Sequence, residues 1–524
     1  MSLIDQLYER IEDPSEVSVY DQSDSEITQF FANRTIFITG VTGFLGKCLL
    51  EKLLRSCRKI KHIYILIREK SNETIEERTD KYFNHVIFDR LRQEYRDFQR
   101  KVTPIKGDLI NEDLGLSEKD KQRIINEVNI IYHNAANVQF LEKVRVSLKT
   151  NVLGTKRMLD LARECKHMEA FIYVSTAYSH LYTKNIEEKC YPFAADINVI
   201  YQAIEADEKS EDRLNEEALK LLIGRHPNIY TYTKAFSEEL VRQYGQNADF
   251  AHIIYRPSIV TATYREPIPG WWANTLGPVL IFLAGPMGMG HIGYLLDVPI
   301  DFIPCDLTVN ALFAITRDGH SQWKNGHNQT LVYNYGSSTT NPCTLKMGYE
   351  LSHKIPYNER PQKAVWYNFM IFTDHYWLFL ILHMLLHFIP ACIADLVLIL
   401  SSKTPRLVSI FLKFTKNLNL AYYFANGNWK IHMPKTLEVI EKMNPTDQQI
   451  FYCNIRSLSW EEYSWTSWRG LKKYILKEEI SSEKAQKWHV KLWYMHYGLI
   501  TMSILGLCYY LLTKLISVIS WIIL

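Results

Sequence analysis

The chain has 524 residues, with 60 Lys and Arg against 57 Asp and Glu and 47% hydrophobic residues. That is more than one ordinary domain needs, and a net charge of +3 without basic and aromatic stripes argues against nucleic acid as a partner. Nine cysteines stand singly with no Cys-x-x-Cys spacing, which fits reduced thiols on the cytosolic side and supports neither a disulfide framework nor a metal site.

Residues 1–30 are polar and acidic, lack a basic stretch followed by an apolar run, and read as a lead-in rather than a secretory signal. Thr35-Ile-Phe-Ile is then a short strand-like run, and Cys48-Leu-Leu-Glu-Lys-Leu-Leu has helical apolar spacing. Between them lies Thr39-Gly-Val-Thr-Gly-Phe-Leu-Gly-Lys. Strand, glycine turn and helix in that order set a helix N-terminus where a dinucleotide pyrophosphate sits. Gly40 allows the tight turn, Gly43 lets backbone approach phosphate and Gly46 lets helix pack on strand. Thr39, Thr42, Phe44 and Leu45 complete the candidate loop, against the alternative of an ordinary glycine-rich turn.

After a second strand, His62-Ile-Tyr-Ile-Leu-Ile, Arg68 and Lys70 stand where the adenosine ribose arrives. Two cations favour a 2′-phosphate, hence NADPH over NADH, although Glu69 lies between them and a solvated charge cluster would look the same. Val102-Thr-Pro-Ile leads to Gly107, Asp108 and Leu109, where the carboxylate can accept from the adenine amine. Asn129-Ile-Ile-Tyr leads to Asn134, Ala135 and Ala136, small enough to lie against a cofactor ribose. Phe171-Ile-Tyr-Val ends at Ser175 and Thr176, and His252-Ile-Ile-Tyr is the sixth strand-like run. Strands alternating with helical segments, including the apolar Asn151 to Cys165, predict a Rossmann-like α/β fold with a doubly wound parallel sheet. Residues 260–350, rich in Gly, Pro and Trp, read as an irregular substrate-binding portion.

Tyr230 and Lys234 are four residues apart, which on a helix puts phenol and ammonium on one face. The ammonium favours phenolate and can bind ribose hydroxyls, so Tyr230 can deliver a proton to a carbonyl oxygen held by Thr176 or Ser175. Further on, Trp366 to Leu400 is apolar but interrupted by Asp374, His383, His387, Pro390 and Asp395. These interruptions argue against a simple span, and the stretch reads as part of a helical C-terminal domain with an apolar surface, the alternative being membrane insertion or an interfacial hairpin. From Tyr497 to Leu524, Lys514 is the only charge, behind a basic segment from Arg469 to Lys491. A spanning helix with a snorkelling lysine is expected, the alternative being a buried terminal helix.

The ordered set resembles the extended short-chain dehydrogenase/reductases and, more narrowly, the alcohol-forming fatty acyl-CoA reductases. The strings that carry the narrower likeness include Val174-Ser-Thr-Ala-Tyr-Ser, Tyr230-Thr-Tyr-Thr-Lys-Ala, Tyr255-Arg-Pro-Ser-Ile-Val, Glu266-Pro-Ile-Pro-Gly-Trp and Asp301-Phe-Ile-Pro-Cys-Asp, with Leu386-His-Phe-Ile-Pro-Ala beyond. The resemblance implies two-step NADPH-dependent reduction of long-chain or very-long-chain acyl-CoA to a primary alcohol, serving wax, hydrocarbon or ether-lipid synthesis. It assigns Tyr230 and Lys234 the active pair, Ser175 and Thr176 the hydroxyl position, and Pro257 a place beside the cofactor. A hydroxysteroid or other lipid-alcohol dehydrogenase and a non-catalytic lipid-binding protein are the alternatives. The domains expected are a reductase domain at 31–350, a helical C-terminal domain at 360–480 and a transmembrane helix at 497–521. The Gly277 to Gly293 segment, expected to receive the thioester, is abbreviated, and Cys305 replaces a usual valine. Fatty acyl-CoA and a lipid bilayer are the partners implied, with the catalytic part facing the cytosol. Neither a Ser-Lys-Leu nor a Lys-Asp-Glu-Leu ending is present, so endoplasmic reticulum and peroxisomal membranes both fit.

Overall fold

A computed structural model describes residues 24–69, 73–139, 142–194, 196–210, 214–246, 248–273 and 278–523. Lys70, Gly277 and most of the expected lead-in lie outside these residues. The chain divides into two compact units. One comprises Met1–Ala273, Pro299–Cys343 and Asn428–Tyr463, and the other Asn274–Val298, Thr344–Gly427 and Ser464–Leu524.

The first unit is built on a seven-stranded sheet. Its strands are β1 (Thr35–Thr39), β2 (His62–Ile67), β3 (Val102–Lys106), β4 (Ile130–His133), β5 (Ala170–Val174), β6 (Ala251–Pro257) and β7 (Leu331–Tyr335). Every neighbouring pair is parallel, in the order β7-β6-β5-β4-β1-β2-β3. The strand order reverses between β1 and β4, where Thr39 pairs with His133, and a ligand crevice opens outside the carboxyl ends at such a point. β1, β5, β6 and β7 are buried throughout, which explains why apolar residues stand side by side in them in place of strict alternation.

Four helices position the site: α1 (Phe44–Ser56), α2 (Gly154–Glu164), α3 (Ile229–Gly245) and α4 (Cys305–Lys324). α2 buries Met158, Leu159, Leu161 and Ala162 against the sheet cluster, each large apolar side chain contributing about 1.5–3 kcal/mol on burial. The six anticipated strands form where their apolar runs stand. The stretch 260–350 is more regular than its composition suggests, since it holds α4 and β7. Its Gly, Pro and Trp residues cluster before Gly293, so a composition averaged over the stretch hides the apolar Leu331-Val-Tyr-Asn-Tyr run. Residues 428–463 are fastened to the same unit by Glu188, whose carboxylate accepts from the backbone of Asn334, Lys435 and Thr436 at 3.0, 2.5 and 3.2 Å.

In the second unit, α5 (Tyr376–His383), a π-helical turn at Met384–Phe388 and α6 (Ile389–Leu400) run on as one apolar helix, followed by α7 (Leu407–Ala425) and the 41-residue α8 (Glu483–Ile523). Among the described residues, two helices, Tyr376–Leu400 and Glu483–Ile522, are long and apolar enough to cross a membrane.

Candidate active site

The glycine loop is shaped as a backbone cradle. Gly40 has φ +75°, and a Cβ on it would lie 2.7 Å from the Ala135 nitrogen, while one on Gly46 would lie 2.2 Å from the Gly40 carbonyl oxygen. No side chain fits either place. Gly43 caps α1 without a side-chain hydrogen bond, and Thr42 and Gly43 are exposed, so the first-turn N–H groups present an anion-binding face. Lys47 closes the loop by donating to the Thr42 carbonyl at 2.8 Å. These residues fit a dinucleotide pyrophosphate. Thr39 serves the cradle from inside: its hydroxyl accepts from the Ala135 N–H at 3.2 Å and meets His133 Nδ1 at 2.9 Å. Phe44 and Leu45 are half-buried, with the Phe44 ring 5.2 Å from that of Trp271.

At the β2 and β3 ends, Arg68 is exposed, with Nε 3.9 Å from Asp108 Oδ2. Glu69 pairs instead with Lys106 at 2.5 Å, so the acidic residue that complicated the sequence reading has its own cation. Asp108 Oδ1 accepts from the Ile110 N–H at 3.2 Å, and Leu109 is buried with its carbonyl held by Arg157 at 2.9 Å. Asn134, Ala135 and Ala136 leave β4 half-buried, and Pro257 ends β6 in register with Tyr335.

Tyr230 and Lys234 lie in the first two turns of α3, whose N-cap Asn228 accepts from the Thr231 N–H at 2.9 Å. The Tyr230 hydroxyl hydrogen-bonds with Thr176. Lys234 Nζ donates to the Val174 carbonyl at the end of β5, at 2.7 Å. Burial lifts the Tyr230 phenol well above its ordinary range, against the Thr176 hydrogen bond. Burial likewise lowers Lys234 to about 7, against the restoring pull of Glu238. The expected shift toward phenolate is not what burial favours: desolvation is the largest influence on this phenol and favours its protonated form.

Ser175 is turned elsewhere. Its hydroxyl donates to Glu238 Oε1 at 2.5 Å, which leaves Thr176 as the hydroxyl beside Tyr230. Glu238 stands one turn beyond Lys234 and also receives Ser179 Oγ at 2.9 Å, His180 Nε2 at 2.7 Å and Arg256 Nη2 at 2.6 Å. Burial pushes this carboxyl up, but Arg256 and His180 outweigh it and hold it well below the usual range.

Sequence reasoning missed this knot, although Glu238 continues the Tyr230, Lys234 spacing and Arg256 is a charge inside an apolar strand. It also missed Asn151, in a π-helical turn at Leu148–Leu153, whose side chain donates to Thr233 of α3 at 3.0 Å. His133 was missed too; its Nε2 meets Thr155 at 3.0 Å and burial lowers it to about 3, so it links β1 to α2 as a neutral ring. The loop from Glu266 to Trp272 is pinned to α1 by Glu266, which pairs with Lys52 at 2.5 Å and Arg55 at 2.8 Å.

A family model described as "Male sterility protein" matches residues 38–312, and a second of the same description matches residues 386–478. Fatty acyl-CoA reductase 2 of Mus musculus is 36% identical over 477 residues, 89% of each chain. Fatty acyl-CoA reductase 1 of Homo sapiens is 35% identical over 491 residues, 91% of this chain and 92% of that one. Among solved structures, the terminal R domain of the myxalamid PKS-NRPS pathway matches with a TM-score of 0.54 at 21% identity, covering 84% of this chain and 90% of that one. The R domain of a non-ribosomal peptide synthetase from Mycobacterium tuberculosis matches at 0.52 and 15%, covering 86% and 96%. These two show a shared fold, whereas the reductases match in sequence along nearly the whole chain. By that identity and coverage, the chain belongs to the fatty acyl-CoA reductase family.

Proposed function

We propose that the chain reduces long-chain or very-long-chain fatty acyl-CoA to a primary fatty alcohol and releases CoA, with both reductions at the Thr176, Tyr230 and Lys234 site. The observation that carries this reading is a buried phenol beside the Thr176 hydroxyl, with Lys234 one turn further along the same helix and bonded to the end of β5, and with a backbone cradle at the end of β1. Bound in that cradle, NADPH would supply a hydride to the carbonyl carbon in each step. Thr176 holds the carbonyl oxygen, and Tyr230 protonates it as negative charge develops there. On the thioester this gives a thiohemiacetal, whose collapse expels CoA as its thiol and leaves the aldehyde. The aldehyde oxygen takes the same place and receives the second proton from Tyr230, which Lys234 reprotonates between steps. Gly40, Gly43 and Gly46 receive the pyrophosphate, while Arg68 and Asp108 receive the phosphorylated adenosine.

The reductase domain at 31–350 carries this chemistry. The helical portion at 360–480 handles the acyl chain, and the helix containing 497–521 anchors the protein with its catalytic part toward the cytosol, in endoplasmic reticulum or peroxisomal membrane. Purified chain incubated with stearoyl-CoA and NADPH is expected to form octadecanol and free CoA, read by gas chromatography and thiol titration. A chain inert toward acyl-CoA that oxidised a hydroxysteroid would overturn the proposal.

A further inference from the structure

We propose that the helical hairpin formed by Tyr376–Leu400 and α7 is a second membrane contact, lying flat in the headgroup region of an anionic bilayer rather than crossing it. This rests on the reading that α8 brings the protein to a bilayer. Along the first arm, every fourth residue from Trp377 to Val397 is apolar and 44–76% exposed: Trp377, Ile381, Leu385, Ile389, Ile393 and Val397. Such a continuous apolar row would be costly in water and marks a surface that something covers.

The hairpin is a formed structure. At its tip, the Asp395 carboxylate accepts from the N–H groups of Arg406, Leu407 and Val408 at 2.9 Å each, capping α7. Midway, His383 Nε2 meets the Thr415 hydroxyl at 3.0 Å, and toward the open end the rings of Phe379 and Tyr422 pack edge to face at 5.3 Å. Its inward side is thus closed by polar bonds and ring contacts, and the apolar row is what remains outside.

Charge decides between lipid and a second copy of the chain. From Leu396 to Trp429 there are four cations, Lys403, Arg406, Lys413 and Lys416, and no Asp or Glu. Lys403, Arg406 and Lys416 are exposed. Two such hairpins brought face to face would repel, whereas an apolar row flanked by cations matches acyl chains below anionic headgroups. Lys416 also decides between lying and spanning. It sits about 15 Å along α7 from the tip, by the rise of an α-helix. A crossing hairpin would leave its ammonium near the bilayer centre, while a flat one lets it reach the headgroups.

The test places a benzophenone-bearing phenylalanine analogue at Ile393, Phe379 or Leu505 of the full-length chain, reconstituted in phosphatidylcholine vesicles with or without phosphatidylserine. After irradiation, adducts are identified by mass spectrometry. The expected result is phospholipid adducts from positions 393 and 505 but not from the inward 379. Charge removal by Lys403→Gln, Arg406→Gln and Lys416→Gln together should cut the yield at 393 several-fold on phosphatidylserine vesicles only. Lipid adducts at 505 alone, or at 505 with chain-to-chain adducts at 393, overturn the hairpin proposal and leave the anchor intact. No lipid adduct at 505 sinks the membrane reading itself. Crossing is tested by a Ser402→Cys variant. Its thiol is expected to react with an impermeant maleimide from the side of the catalytic unit, and reaction from the opposite side alone overturns the flat arrangement.

Discussion

Tyr230 and Thr176 share a hydrogen bond, and the roles proposed for them separate by substitution. Tyr230→Phe removes the proton donor and leaves the cradle untouched, so kcat should fall by about 10²–10⁴-fold with NADPH binding retained, measured by turnover and by nucleotide fluorescence titration. Thr176→Ala should lower kcat by about 10²-fold and Thr176→Ser restore most of it. Ser175→Ala should cost less in kcat, since that hydroxyl faces Glu238. Glu238→Gln keeps the shape but weakens the hold of Arg256 and His180, and it withdraws the charge that supports the Lys234 ammonium. The Lys234-dependent limb of the pH–rate profile should therefore move to lower pH, a shift that loss of packing alone would not produce.

Lys234 also makes a statement about stability. The folded chain holds it at about 7 and its ordinary value is 10.5, so between those values unfolding takes up a proton at this site. Stability from this group accordingly rises as pH climbs from about 7 toward 10, and below 7 the fold bears the full cost of a buried ammonium. Lys234→Met should raise Tm at pH 6.5, flatten the rise toward pH 9 and abolish turnover, as read by thermal melts in detergent beside an activity assay. Residues of this kind were half legible in the sequence. Tyr230 and Lys234 announce themselves by spacing on one helix, but Glu238 gains its role from Ser175, Ser179, His180 and Arg256, which lie far from it in sequence.

At the scale of elements, the turn between β1 and α1 is the most constrained feature. Gly46→Ala sets a methyl 2.2 Å from the Gly40 carbonyl oxygen, and Gly40→Ala adds a strained φ to a 2.7 Å contact with Ala135. Either should weaken NADPH binding by more than tenfold in a fluorescence titration. Arg68→Ala should cost NADPH at least tenfold and NADH little, because only the former carries the 2′-phosphate. This turn was legible because its rule is local: strand, three glycines, helix. The π-helical turn that presents Asn151 was not, since six residues are too few for its wider spacing to stand out from the helical pattern around it.

For the molecule as a whole, alternation of strands and helices sufficed to foretell a parallel sheet, and its six named strands formed where apolar runs stand. The seventh strand and α4 escaped because Gly, Pro and Trp upstream lend the whole stretch an irregular look. The interleaving of two units was equally illegible. Residues 428–463 return to the sheet unit through contacts such as those of Glu188, which no local pattern encodes. The central claim is that one site delivers two hydrides to one carbon. The most direct measurement is the isotope content of the alcohol made from stearoyl-CoA with NADPH dideuterated at C4 of the nicotinamide. Octadecanol carrying two deuterons at C1 is the expected result, and octadecanol with one deuteron, or octadecanal as the end product, would contradict it.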